Sequence, residues 1–160
     1  MAYIKDYGLV KTTNSLIVKA KVANTGTIAK NDIVVLDAVG GATGAGYVKK
    51  WSAVSDAVVG VALEAVATTP TLDGDKSIPV ALAVPQNIFY FTASGVTQAD
   101  QFSCCDISGV QAIDITSDTY QNVWITEVDT DNSAVHCILS GPLGSYIGVS
   151  STIDHGVKEG

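Results

Sequence analysis

Arginine is absent from this chain of 160 residues, and all nine basic residues are lysines. Arginine supplies the planar fork that binds phosphate groups and guanine edges in many nucleic-acid complexes. Sixteen acidic residues give the chain a net charge of −7 and a pI near 4.5. A charge of this sign repels a polyanion. The sequence therefore predicts no direct binding to nucleic acid.

Long apolar runs are also absent, since no stretch approaches the roughly 18 consecutive apolar residues of a membrane helix. The first residues do not show the charged-then-apolar layout of a secretory signal. We therefore expect no membrane segment. Hydrophobic residues nevertheless make up 47% of the chain, and its mean hydropathy is +0.30. We expect part of this apolar surface to lie between subunits of a homo-oligomer.

Cysteine and histidine are scarce, with three cysteines and two histidines. Neighbours on a strand point to opposite faces, so Cys104 and Cys105 do not converge on one site, nor do His136 and Cys137. An odd number of cysteines without a secretory signal predicts reduced, buried thiols. We predict that the chain is not an enzyme and has no catalytic residues, no metal and no cofactor.

Three other patterns resemble functional sites only in part. Glu64 and Glu127 occupy matching places in the two repeated strand sets. A repeat duplicates positions whether or not they have a function, so we expect both residues to face solvent or a lysine. Residues 129–133 begin like a calcium loop, but Ala134 stands where that loop needs its turn glycine. Residues 40–46 are glycine-rich, but a strand follows them instead of the Lys-Ser or Lys-Thr and helix of a phosphate loop.

The chain does contain one pattern of strands that occurs twice. The first set covers residues 29–37, 58–64 and 78–84, and the second covers 99–106, 122–127 and 134–141. Residues 33–36 are continuously apolar, as in a strand buried on both faces, whereas Pro79 and Pro85 favour a place near a sheet edge for residues 80–84. The pattern predicts an all-β fold: a compact β-barrel or β-sandwich of two pseudo-repeated halves, with an N-terminal extended arm and little or no helix.

We divide the chain into an arm and first strand over residues 1–28, a β domain over 29–145 and a polar tail over 146–160. The pseudo-repeats cover about 29–95 and 96–141. Exposed aromatic side chains are typical anchors of protein interfaces. The predicted partner contacts are Tyr3, Ile4, Tyr7, Leu9, Trp51 and Gly44. Two alternatives remain, namely that the arm lies against its own barrel and that Trp51 and Trp124 belong to the core.

The strands, taken in order, resemble a known family. The segments that carry the resemblance are residues 31–38, 58–65, 78–95, 97–114 and 123–141. They are similar to the small capsid decoration, or cement, proteins of tailed bacteriophages, in the family often mislabelled in genomes as RecA/RadA-type recombinases. Asn31 stands where that family usually has glycine, and residues 101–106 replace its tyrosine-tryptophan strand, although Asp106 keeps its place.

The resemblance implies a structural virion protein that binds the outer surface of an icosahedral head and bridges subunits of the major capsid protein. It implies a homo-oligomer, with a trimer favoured and a dimer possible, made in the host bacterial cytoplasm and then held on the capsid exterior. Linked weak contacts would raise avidity by roughly 10²–10⁴. The alternatives are another virion component, such as a tail or baseplate subunit, and a carbohydrate-binding or adhesion module.

Overall fold

The computed structural model describes residues 7–10, 15–37, 46–53 and 56–140, so the predicted tail over 146–160 lies outside it. The described residues form strands and one 3₁₀ turn over Gln98–Asp100, which confirms the all-β prediction. No helix in this part of the chain has the length and apolar character needed to cross a membrane. The strands are β1 Gly8–Val10, β2 Ile17–Val22, β3 Ile33–Leu36, β4 Tyr47–Lys50, β5 Val58–Ala62, β6 Ser77–Leu82, β7 Ile88–Thr92, β8 Cys104–Gly109, β9 Ala112–Asp114, β10 Val123–Asp129 and β11 Ala134–Leu139.

The strands form two rings with the same connectivity. The first ring is a closed barrel in the order β2-β4-β3-β5-β6. The second ring has the order β7-β9-β8-β10-β11 and closes where Thr92 pairs with Ala112. In each ring the first strand pairs in parallel with the third and antiparallel with the fifth. The predicted pseudo-repeated halves are therefore two five-stranded rings.

The membership of β2 and β7 differs from the predicted division of the chain. The predicted first repeat ends with residues 88–92, but β7 is the first strand of the second ring. Likewise β2, which falls within the predicted arm and first strand, opens the first ring. Each of these strands pairs with a strand far along the chain, β7 with β11 and β2 with β6, and such partners leave no local signal in the sequence.

The repeat extends to the turn that precedes the second strand of each ring. Asn31 has a φ of 74° and Phe102 a φ of 68°, so both adopt the left-handed conformation. The Asn31 N–H donates to the Ala62 carbonyl, and the Phe102 N–H donates in the same way to the Ile125 carbonyl. Asparagine tolerates this conformation better than most residues, which accounts for Asn31 at a place where glycine would otherwise be favoured.

Two apolar clusters fill the molecule. The first lies within the first ring and includes Val22, Val34, Val48, Ala62, Ile78 and Val80. The second spans both rings, because Ile33 and Val35 on the opposite face of β3 join Phe89 and Phe91 of β7 and the apolar side chains of β8, β10 and β11. Residues 33–35 are fully buried. The prediction of a strand buried on both faces is thus confirmed for β3.

Hydrogen bonds reinforce the contact between the rings. The N–H of Ile33 donates to the carbonyl of Val110 at 2.7 Å. Gln111 Nε2 donates to Asp32 Oδ1 at 3.0 Å. Asp32 is itself buried, so its charge is balanced by donors from its own turn and from the second ring. The turn between β8 and β9 is therefore anchored at the start of β3.

The edge position predicted for the strand between Pro79 and Pro85 is wrong. Pro79 lies inside β6, which pairs with β2 on one side and with β5 on the other. The Pro79 carbonyl accepts the N–H of Leu63 at 3.0 Å, but proline has no N–H to donate in return. The ring therefore gives up one ladder bond at this point.

The cysteines are free, as predicted. Cys105 and Cys137 are buried in the core and Cys104 is half-buried. Burial raises the pKa of Cys105 to about 12, and the neighbouring Asp106 carboxylate adds to the effect. Burial also raises the pKa of Cys137 well above its ordinary value.

We expect a thiol reagent at pH 8 to modify Cys105 and Cys137 at least about 100-fold more slowly in the native chain than in urea, because the thiolate is the reactive form. Mass spectrometry after brief alkylation measures this difference, with Cys104 as the more accessible internal reference. Rapid modification of all three thiols in the native chain would contradict the buried placement of β8 and β11.

Candidate interaction surface

The predicted contact residues fall into three groups. Tyr3, Ile4 and Gly44 lie outside the described residues. Tyr7 and Leu9 belong to the arm, which pairs with the second ring through β1. Trp51 follows β4, is partly exposed, and packs against the large apolar cluster. The structure therefore does not bring these residues together at one place.

The arm adds β1 to the edge of β7, with Gly8 opposite Tyr90, Leu9 opposite Phe89 and Val10 opposite Ile88. Leu9 packs against the core, and the Tyr7 ring stacks on the Tyr90 ring with centroids 5.6 Å apart. The described part of the arm thus lies against its own chain. Tyr7 keeps an exposed fraction of 36% and remains accessible to a partner.

Tyr90 is the centre of a polar and aromatic cluster on the second ring. Its hydroxyl donates to Asp129 Oδ2 at 2.8 Å, and its ring lies 4.9 Å from the ring of His136. His136 Nδ1 is 3.7 Å from Glu127 Oε2. Burial and the Asp129 carboxylate raise the pKa of Tyr90, so this phenol stays protonated. Such a group holds the sheet together and is the opposite of an activated nucleophile.

The carboxylates whose sequence pattern resembles a functional site form local hydrogen bonds or face solvent. Asp129 Oδ1 accepts the N–H of Asn132 at 3.2 Å and its amide at 3.0 Å, which closes the turn between β10 and β11. Glu64 and Glu127 are exposed. Across the described residues, no group of three His, Cys, Asp or Glu side chains is placed to hold a metal ion.

The first strand of the first ring carries an exposed apolar surface. Leu16, Ile17 and Val18 are exposed by 48%, 48% and 39%. Lys19 and Lys21 are also exposed. β2 pairs with β6 along residues 17–21 but with β4 only at Lys21 and Val22. Over residues 17–19, no strand in the described part of the chain pairs with the edge that faces away from β6, and we call this segment the open edge.

The backbone groups of the open edge point outward. Leu16 and Val22 form hydrogen bonds on the β6 side, because Leu82 of β6 donates to the Leu16 carbonyl and the Val22 N–H donates to the carbonyl of Lys76, which precedes β6. Hydrogen-bonding direction alternates along an antiparallel pair. The N–H and C=O groups of Ile17 and Lys19 therefore face the open edge, where each presents one donor and one acceptor.

A buried amide fixes the start of the open edge. The side-chain oxygen of Asn87 accepts the N–H of Leu16 at 2.9 Å. Its Nδ2 donates to the carbonyls of Leu16 and Leu82 at 2.8 and 2.9 Å. Asn87 is fully buried. The edge is therefore held in an extended conformation by the turn between the two rings.

A groove of about 530 Å³ lies beside Trp51 in the first ring. Its walls include Thr25, Thr27, Lys50, Trp51, Ser52 and Thr69. Lys49, which also lines it, lies 3.8 Å from the buried Asp37 carboxylate. Trp51 Nε1 is buried, and no described residue forms a hydrogen bond with it. The groove thus offers hydroxyl groups and one exposed lysine around a partly exposed indole.

Other exposed apolar side chains are dispersed over the surface. Phe102 is exposed by 65% and Leu72 by 63%, and Tyr120 is also exposed. Phe102 lies next to Trp124, whose Nε1 donates to the Phe102 carbonyl at 3.0 Å. Sequence reasoning missed these positions and the open edge. The run Leu-Ile-Val before Lys19 was a usable signal for the edge, but nothing in the sequence pointed to Phe102 or Tyr120.

Comparison with protein-family models, with curated proteins and with solved structures finds no match to this chain. Function is therefore inferred from the geometry of the rings and from the strand pattern. The open edge, the Tyr7 stack and the Trp51 groove are three features of the described surface that remain accessible to a partner. The first is the most apolar of them.

Proposed function

We propose that the chain is a structural virion protein that binds the outer surface of an icosahedral phage head and stabilises it by bridging major capsid protein subunits. The open edge of β2 carries the proposal, because Leu16, Ile17 and Val18 expose apolar side chains on its two faces and its backbone groups pair with no strand of the described residues. Surfaces of this kind mark protein interaction sites. The strand pattern that resembles capsid decoration proteins supports the same function.

The dispersed exposed side chains support a bridging role. Leu72, Phe102 and Tyr120 lie apart from the open edge in the sequence and extend from both rings. A body with several separate contacts gains avidity when two or more are engaged at once. The same side chains offer contacts between copies, and a homo-oligomer, with a trimer favoured and a dimer possible, is part of the proposal.

The charge of the chain supports a place on the capsid exterior. A net charge of −7 is unfavourable next to packaged DNA. On the outer face, the shell separates the chain from the packaged DNA. The proposed location is therefore the outside of the virion, reached after synthesis in the host cytoplasm.

We expect the purified chain to pellet saturably with empty shells assembled from the major capsid protein of the same genome. Ile17→Glu should weaken this binding about tenfold, because it places a charge in a central apolar contact. Ser94→Glu adds the same charge on an exposed turn of the second ring and serves as the control. A chain that stays in the supernatant would overturn the proposal, and pelleting with tails instead of heads would identify a tail or baseplate subunit.

The Trp51 groove favours saccharide binding as a second function. An indole beside several hydroxyl groups suits the apolar face and the hydroxyls of a sugar. Binding to a glycan array that is lost in Trp51→Ala, together with no binding to shells, would favour this function over the first.

A further inference from the structure

The two rings differ at one equivalent edge. β2 and β7 are the first strands of their rings. The Val22 N–H donates to the Lys76 carbonyl in the same way that the Ala93 N–H donates to the Ser133 carbonyl. When β2 and β7 are aligned so that Val22 and Ala93 coincide, Ile17 corresponds to Ile88 and Lys19 corresponds to Tyr90. In the second ring this edge is covered by β1, whereas the first ring leaves it uncovered within the described residues.

The second ring shows which kind of strand this edge takes. β1 runs antiparallel to β7, with Val10 opposite Ile88 and Gly8 opposite Tyr90. The Thr92 N–H donates to the Gln111 carbonyl, on the side of β7 that faces away from β11. Hydrogen-bonding direction alternates along the strand, so the backbone groups of Ile88 and Tyr90 point to the same side, where β1 lies. Ile17 and Lys19 direct the same groups to the open edge. The ring topology therefore accepts an added antiparallel strand at this position.

We propose that the open edge of β2 accepts an extended segment of a partner protein as an added antiparallel strand over residues 17–19, with an acidic side chain of the segment opposite Lys19. In an antiparallel pair, residues directly opposite each other share a face of the sheet. An acidic residue opposite Lys19 therefore forms a cross-strand ion pair. Lys21, on the same face of β2, pairs with Tyr47 of β4 and adds positive charge beside this position. An apolar residue at the next position of the segment lies opposite Val18.

The positive charge of Lys19 and Lys21 favours an acidic partner segment over a second copy of this chain at the open edge. Lys19 and Lys21 are both exposed, in a chain that carries an overall charge of −7. A second β2 would bring two more lysines to the same sheet, and edge lysines discourage pairing of like edges. A segment that alternates acidic and apolar residues instead satisfies both the charge and the apolar surface.

The edge is prepared for this addition. Asn87 holds both backbone groups of Leu16, and β6 pairs with residues 17–21 along the opposite side. Binding therefore orders the incoming segment but not β2, which lowers the entropic cost of association. The inference does not depend on the partner being a capsid subunit.

The test is an NMR titration of the full, isotopically labelled chain with the peptide acetyl-Glu-Val-Glu-Val-Thr-Val-amide. In the antiparallel register its second glutamate lies opposite Lys19, and its first glutamate lies beyond the paired residues, towards Lys21. We expect saturable shifts of the amides of residues 16–20, with a Kd of about 1 mM or tighter. The charge-reversed peptide acetyl-Lys-Val-Lys-Val-Thr-Val-amide has the same strand propensity and should bind about tenfold more weakly.

Two variants separate strand addition from non-specific contact. Replacing both lysines, Lys19→Glu with Lys21→Glu, should reverse the preference so that the lysine peptide binds better. Ile17→Pro removes an N–H that faces the open edge but none that bonds to β6, so it should abolish the shifts, whereas Ile17→Ala should only weaken them. If Ile17→Pro fails to fold, the charge reversal alone decides the result.

Three results would overturn the inference. The first is an absence of saturable shifts at residues 16–20 with the acidic peptide. The second is equal binding of the two peptides, or an unchanged preference in the lysine variants. The third is a shift of the same amides on simple dilution of the chain, which would show that a second copy occupies the edge.

Discussion

Gly60→Ala should destabilise the chain by about 3 kcal/mol and lower its Tm by about 10 °C. Gly60 lies in β5 between β3 and β6, at the register shift where Val34 and Val35 pair with this strand. A Cβ at this position would lie 1.9 Å from the Ala81 carbonyl oxygen and 2.8 Å from its carbon. These are backbone atoms of the adjacent strand, so relief requires β6 to move. Thermal and urea unfolding measure the loss.

Gly109→Ala is the matched control in the second ring. Gly109 also lies in a strand at a register shift, but a Cβ there would meet only the Ala112 side chain at 3.3 Å. We expect a loss below about 1 kcal/mol, since a side chain yields more readily than a backbone. Equal effects of the two substitutions would show that the approach of β5 to β6 is not as close as described.

Asp106→Ala should cost about 3 kcal/mol, because it leaves several hydrogen-bond donors without their charged acceptor. Asp106 is buried in β8. Its carboxylate accepts Ser117 Oγ at 2.6 Å and the N–H groups of Thr119, Tyr120 and Gln121 at 3.0, 2.9 and 2.7 Å. The loop between β9 and β10 is thus built around one side chain.

The same substitution should act locally as well as globally. Gln121 has a φ of 50°, a conformation that persists only when its surroundings hold it. We expect hydrogen exchange of the Thr119, Tyr120 and Gln121 amides to become faster. The increase in their exchange rates should be at least tenfold larger than the increase that the loss of global stability alone would cause. Asp118→Asn, which removes the same charge from an exposed residue of the same loop, should have almost no effect. Similar exchange in both variants would contradict the role of Asp106.

The sequence was sufficient for the repeated strands but not for their closure into rings. β3, β5 and β6 and their counterparts β8, β10 and β11 coincide with the apolar segments that carry the pattern. The sequence does not predict the short parallel contacts that close the rings, which join Lys21 with Tyr47 and Thr92 with Ala112. These contacts involve few residues and depend on how the other strands twist, so no local pattern marks them.

The same limit applies to the interaction surface. Tyr7 and Trp51 are predicted partner contacts because they are aromatic, but each also makes contacts within the chain. Tyr7 stacks on Tyr90, and Trp51 packs against the large apolar cluster. Leu16, Ile17 and Val18 lie in the segment predicted as the arm and first strand, for which no exposed apolar edge is predicted. Their exposure follows from the lengths over which β4 and β6 pair with β2. Pairing lengths are a tertiary property and do not follow from the composition of one strand.

The central claim is that the open edge of β2 faces a subunit of the phage shell. Electron cryomicroscopy of empty shells saturated with the chain tests it most directly. We expect density for the two rings on the outer surface, with an extended shell segment within about 3 Å hydrogen-bonding distance of the Ile17 and Lys19 backbone. Density on the inner surface, no density, or an open edge turned towards solvent would contradict the claim.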